Sequence, residues 1–303
     1  MRVLLWLAMA FYGGNGNREA TDRLAPAGWM GNPWGPAALA ARKSGVIPPI
    51  PDTPLMKQWD QWGRKVLRTG DILFRRGDAR VLYGTFPFSR FIANVSGSQF
   101  SHTGVVIIED GEPVVYDTTH SSVRRQPLKV WVLDNVGPFG VKRLKPSYRD
   151  RIPKVVEYLN AMYAKQVEFD WELSIDDRAL YCVEMTEKAF RSAGLVLSEP
   201  VIIADMENIS QFPLCVLGFT TLSPLKLDQA IFFPGNDRHG IWSSPYLETV
   251  YLAPSEPTKP KSPVVRPAAN TSPTPPRQTM SNALPAPPQQ KSVAGRAEGL
   301  PRN

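Results

Sequence analysis

Two apolar, β-branched runs, Thr103-Gly104-Val105-Val106-Ile107-Ile108 and Pro113-Val114-Val115-Tyr116-Asp117-Thr118, are joined by only Glu109-Asp110-Gly111-Glu112. Asp-Gly tolerates the positive φ that a tight hairpin turn requires, so the two runs are expected to pair antiparallel. Any fold open to this chain must accommodate that hairpin. The pairing also carries a chemical consequence, because it brings His102, at the mouth of the first strand, and Asp117, at the far end of the second, to the same end of the sheet.

Around the hairpin the patterns are those of a mixed α+β domain. Leu55 to Leu67 has apolar residues at a helical period, and Gly70 is expected to close that helix. Asp71 to Phe74 reads as a short strand, Phe86 to Val95 as a helix and Gly140 to Leu144 as a further strand. Tyr148 to Tyr163 is a helical pattern with Pro153 in its first turn. Ala179 to Ser192 is another, closed by Gly194 and preceded by Asp176 and Asp177 as candidate caps. Beyond Pro200 only Ile231 to Phe233 and Thr249 to Leu252 stand out, as short strands.

Composition divides the chain. The net charge is +7 over 303 residues, but the 50 residues from Pro254 carry +5, hold 12 of the 30 prolines and contain no aromatic residue. So little apolar surface cannot offset the entropy of ordering, so residues 253–303 are expected to be a disordered Pro-rich basic tail. The remainder is nearly neutral, which removes the basis for a nucleic-acid-binding face. At the other end, Arg2 is followed by an apolar run from Val3 to Tyr12. It is too short to span a bilayer but matches the apolar stretch of a secretory signal. Export or a cell-envelope location is therefore favoured over the cytoplasm, with an amphipathic stub as the competing reading. Residues 1–53 are expected to form this segment and a Gly/Pro-rich irregular arm, and residues 54–252 the catalytic domain.

With two cysteines, Cys182 and Cys215, and three histidines, no disulfide scaffold and no four-ligand zinc site at the usual short spacings can be drawn. No metal or cofactor is expected. The same scarcity isolates a candidate nucleophile. Cys182 falls near the start of its helix, where free N–H groups and the helix dipole favour a thiolate. His102 could serve as its base, and Asp117 could hold the imidazole in one tautomer. Each residue also has a plain structural role open to it: Cys182 as a small core side chain, His102 as a strand-end residue and Asp117 as the start of a turn.

Gly70-Asp71-Ile72-Leu73, Ser101-His102-Thr103-Gly104-Val105-Val106 and Tyr181-Cys182-Val183-Glu184 together resemble the permuted NlpC-type papain-like cysteine hydrolases, in their YiiX/YaeF-like branch. In that family the histidine strand precedes the cysteine helix, an order shared with lecithin–retinol acyltransferase. The resemblance covers roughly Lys65 to Ser198. It implies a circularly permuted papain-like fold, with an antiparallel sheet packed on the helix that carries the cysteine. It further implies Cys182 as nucleophile, with its backbone N–H as oxyanion donor, and His102 as base. Relatives carry glutamate or histidine at the orienting position, where this chain has Asp117, with His120 or Glu109 as alternatives. Asp71 is read as structural, and Phe169-Asp170 as an element lining the cleft.

The expected activity is a cysteine-dependent amide or ester hydrolase acting through a Cys182 thioester on a small-molecule, peptide or acyl-lipid substrate. A catalytically silent binding module and an acyltransferase with a lipid-like substrate are the alternatives.

Overall fold

The computed structural model describes residues 32–80, 86–119, 121–222 and 225–253. The apolar run from Val3 to Tyr12, the tail from Pro254 and His120 lie outside the described residues. The architecture is a mixture of helices and an antiparallel sheet.

The hairpin forms as β2 (His102–Glu109) and β3 (Glu112–Thr118), with Glu109 opposite Glu112 and Val105 opposite Tyr116. Asp110 and Gly111 both take positive φ, at 49° and 77°. That twist matches the flanking strands, as a two-residue hairpin demands. Four further strands complete the sheet: β1 (Ile72–Arg75), β4 (Val123–Pro127), β5 (Phe139–Leu144) and β8 (Leu247–Leu252). The spatial order is β4-β3-β2-β1-β5-β8 and every pairing is antiparallel. A separate two-stranded ribbon joins β6 (Val201–Ile202) to β7 (Ala230–Ile231).

Side chains alternate between the two faces of the sheet. Ile72, Phe74, Val105 and Ile107 share a core with Leu159 of α5 (Ile152–Lys165) and Met185 of α6 (Cys182–Ser192). Leu73, Val106 and Val115 share the opposite core with Trp59 of α2 (Pro54–Val66) and with Trp131 of the one-turn α4 (Leu128–Trp131). The sheet is thus buried on both sides by helices whose apolar stripes face it. Thr103 joins β2 to α6 by a 2.9 Å hydrogen bond between its hydroxyl and that of Thr186.

Several elements differ from expectation. Gly70 does not cap α2, which ends at Val66 with the Leu67 N–H bonded to the Gly63 carbonyl. At φ 88°, Gly70 instead turns the chain into β1 and donates its N–H to Val106. The segment read as an irregular arm contains α1 (Pro36–Lys43), with a proline in its first turn where no N–H is missed. Asn32 and Trp34, just ahead of it, bond to the edge strand β4: the Asn32 amide donates to the Val123 carbonyl, and the Arg125 N–H donates to the Trp34 carbonyl.

The expected helix from Phe86 is α3 (Phe88–Val95). Beyond Pro200 there is an unanticipated helix, α7 (Pro213–Leu222), which together with α3 and β7 encloses an apolar cleft touched by Phe91, Val95, Met206, Val216 and Ile231. Leu214 and Leu217 on α7 are 82% and 64% exposed. Among the described residues no helix is long and apolar enough to cross a membrane.

Phe74, Phe100 and Trp242 stack with ring centroids 4.9–5.4 Å apart. Gly140 makes room for them, because a Cβ there would lie 2.7 Å from the Trp242 ring and 3.0 Å from Phe100. These rings are buried and cannot swing away cheaply. Gly140→Ala is therefore expected to destabilise the fold by about 1–3 kcal/mol, read as a lower urea midpoint with an unchanged slope.

Candidate active site

Cys182 is the first residue of α6, three residues later than the periodicity suggested. Asp176 and Asp177 do not cap this helix. Asp176 binds Arg178 and Asp177 pairs with Lys188. The N-cap is Tyr181, whose extended backbone (φ −100°, ψ 167°) swings the chain into the helix. Its hydroxyl accepts the Phe232 N–H at 2.6 Å, and Glu184 accepts the Tyr181 N–H at 3.3 Å. The end of the helix that presents the cysteine is therefore fastened from two directions.

The carbonyl of Cys182 accepts from the hydroxyls of Thr103 (3.3 Å) and Thr186 (3.2 Å). The backbone N–H groups of Thr103 and Val183 favour the ionised thiol. Burial nevertheless pushes its pKa up from 9.0 to about 12, and the Asp117 charge adds to the rise, while those N–H groups and Arg75 oppose it. A helix N-terminus supplies only about 0.3–2 kcal/mol in the other direction. Burial thus acts on this thiol in the direction opposite to the helix end.

His102 and Asp117 do meet. Nε2 of His102 lies 2.7 Å from Oδ2 of Asp117. Asp117 is completely buried, which alone would raise its pKa, but the Arg124 guanidinium and His102 outweigh burial and hold it well below the usual carboxylate range. An ionised carboxylate only accepts, so the ring proton of neutral His102 sits on Nε2 and the lone pair on Nδ1. Gly104 lets β2 and β3 pack closely beside this pair, since a Cβ there would stand 2.6 Å from Val115 and 3.2 Å from the Tyr116 carbonyl oxygen.

The other residues singled out from the sequence separate. Glu109 lies at the opposite end of β2 from His102, bound to Tyr116 and Arg125, and cannot orient the imidazole. Asp71 is structural, as read: it accepts the Arg68 N–H and pairs with Arg143 at 2.7 Å. Asp170 is buried and closes a turn by accepting from Glu172 and Ser174. Cys182 and Cys215 are both free.

Three residues absent from the sequence reading surround Asp117. Arg124 donates from Nε to Oδ1 (2.9 Å) and from a terminal nitrogen to Oδ2 (2.8 Å). Trp131 donates its indole N–H to Oδ2 at 2.7 Å, and its ring lies 5.8 Å from that of His102. Arg75, also buried, lies over Trp131. A signal existed for one of them: Arg124 stands opposite Asp117 in the β3–β4 register, an opposite-charge cross-strand pair.

A cysteine opening a helix, and a sheet that carries a hydrogen-bonded histidine and carboxylate, are the parts that thiol nucleophile chemistry uses. The chain belongs to the permuted papain-like amidases of the YaeF/YiiX type, the C92 family, whose description it matches over residues 66–227. It is 24% identical over 186 residues to the uncharacterized protein YiiX of Escherichia coli K12, covering 60% of this chain and 85% of that protein. The crystal structure of the metalloprotein YiiX from Escherichia coli O157:H7 shares the fold, with a TM-score of 0.51 at 21% identity over 61% of this chain and 97% of that one. Among the described residues here, no group of three or more His, Cys, Asp or Glu side chains is placed to hold a metal ion.

Glu184, beside the nucleophile candidate, is fully buried and 2.9 Å from Lys188. Burial raises its pKa from 4.5 to about 7, against the opposing pull of Lys188. The folded protein thus holds a proton that the unfolded chain releases, so stability from this group is present below pH 4.5 and lost as pH rises through 7. Between those limits Glu184→Gln should flatten a decline on the order of 2–3 kcal/mol, measured by urea unfolding at several pH values.

Proposed function

We propose that this chain is a cysteine-dependent amide or ester hydrolase in which Cys182 is the nucleophile, His102 the base and Asp117 the group that orients it. One observation carries the reading. His102 is held at 2.7 Å by an ionised, buried carboxylate, while the very next residue, Thr103, donates its hydroxyl to the Cys182 carbonyl at 3.3 Å. Membership of a papain-like amidase family and a sheet sharing its core with the cysteine helix support it.

With burial raising the thiol pKa, the reading calls for proton transfer at the moment of attack and not a standing ion pair. The Sγ proton passes to Nδ1 of His102 as the Sγ–carbon bond forms on the substrate carbonyl. The developing oxyanion is met by the backbone N–H of Cys182 at the helix end. Imidazolium then returns the proton to the departing amine or alcohol as the carbon–leaving-group bond breaks. A water molecule, deprotonated by the same Nδ1, resolves the thioester to acid and thiol. Peptide, N-acyl amino acid and lipid-like acyl substrates all satisfy this chemistry, and resolution by a second nucleophile would make the same machinery an acyltransferase.

The raised pKa of the thiol also favours a second reading, a binding module that keeps the cleft without turnover. A hydrolysis screen over acyl-amide, ester and peptide substrates separates the two. Activity should vanish in Cys182→Ala and fall about 10²- to 10⁴-fold in His102→Ala. Turnover that survives Cys182→Ala sinks the assignment, and substrate binding without turnover in the unaltered protein establishes the module.

A further inference from the structure

We propose that Arg124 is a positioning residue for the imidazole of His102: by clamping Asp117 through two parallel hydrogen bonds, with Trp131 as the third donor, it keeps the ring in the single tautomer that bears its proton on Nε2. The proposal deepens the hydrolase reading above and rests on it for its catalytic meaning.

The Cys182 thiol of α6 feels the Asp117 charge, and four further groups face that carboxylate. They are His102 from β2, Arg124 from β4, Trp131 from α4, and Arg75 from β1 at 4.0 Å. Arg75 is committed elsewhere, lying 3.3 Å from Asp134 and donating to the Trp131 carbonyl at 2.7 Å. Arg124 is therefore the cation matched to Asp117, and both side chains are fully buried.

A carboxyl group so far from water protonates unless a charge and donors hold it ionised. Protonated, it could donate to a histidine nitrogen as readily as accept from one, and the selection of tautomer would disappear. The planar fork of arginine satisfies both carboxylate oxygens at once and fixes the plane of the carboxylate, which a lysine ammonium does not. Oδ2, the oxygen that meets His102, is also the one that Trp131 reaches, so the indole limits how far that oxygen can rotate.

A buried ion pair could instead serve only to join β3 to β4. Nitrogen-15 spectra of histidine-labelled protein distinguish the two roles, and the chain has only three histidines to assign. In the unaltered protein, at any pH where the imidazole is neutral, His102 should show a protonated Nε2 and a bare Nδ1. In Arg124→Met the signal should become that of exchanging tautomers, and hydrolysis should lose kcat with little change in KM. Arg124→Lys, which keeps the charge without the fork, should give an intermediate spectrum, and it decides the question if the Met variant does not fold. A folded variant of either kind whose His102 tautomer and titration match the unaltered protein overturns the proposal. The spectra need no turnover, so failure of the hydrolase reading would appear separately, as an inactive protein with its tautomer still fixed by Arg124.

Discussion

Asp117 is a carboxylate without water, and strands β1, β2 and β4 and helix α4 each send it a partner or a neighbouring charge. Its burial is tolerable only because those donors are already in place, so the sheet must close around it before it can be ionised. This reverses the usual order of explanation for a site on a scaffold. The three-stranded corner of β2, β3 and β4 is specified by a charge that it must satisfy, and the imidazole inherits its orientation from that requirement.

The same dryness sets the chemistry. Removal from water raises the thiol and would raise the carboxyl; Arg75 opposes the first rise without reversing it, whereas Arg124 and His102 reverse the second. The two acids are thus shifted in opposite directions by what each can pair with. Glu184, a third acid nearby, falls between the two: Lys188 offsets its burial only in part.

The hairpin, the meeting of His102 with Asp117, and the cysteine near a helix start were legible because each depends on local signals. Asp-Gly sets the turn, β-branched residues set the strands, and antiparallel pairing carries strand ends together. What escaped was whatever depends on tertiary partners. Val123-Arg124-Arg125-Gln126-Pro127 has no apolar alternation, since its inward arginine is paired with a charge and not with a core. Pro213 to Leu222 is apolar on nearly every side, so it offers no helical period to read. The start of α6 slipped because its cap is a tyrosine anchored to the distant Phe232, a contact no local rule anticipates. The burial that acts on the thiol was hidden for the same reason, as helix ends are visible in sequence and desolvation is not.

β4 is the last strand on its side of the sheet, and last strands invite unwanted partners. Here Asn32 and Trp34 occupy backbone groups of Val123 and Arg125, and Arg42 rests on the Trp34 ring at 4.4 Å. The segment that looks most dispensable thus works as a selvedge, a woven border that keeps the fabric from unravelling or catching on its neighbour. Between the two residues it binds sits Arg124. Trimming the chain to its apparent domain would therefore expose a strand to self-association and, at the same time, loosen the arginine on which the buried carboxylate relies.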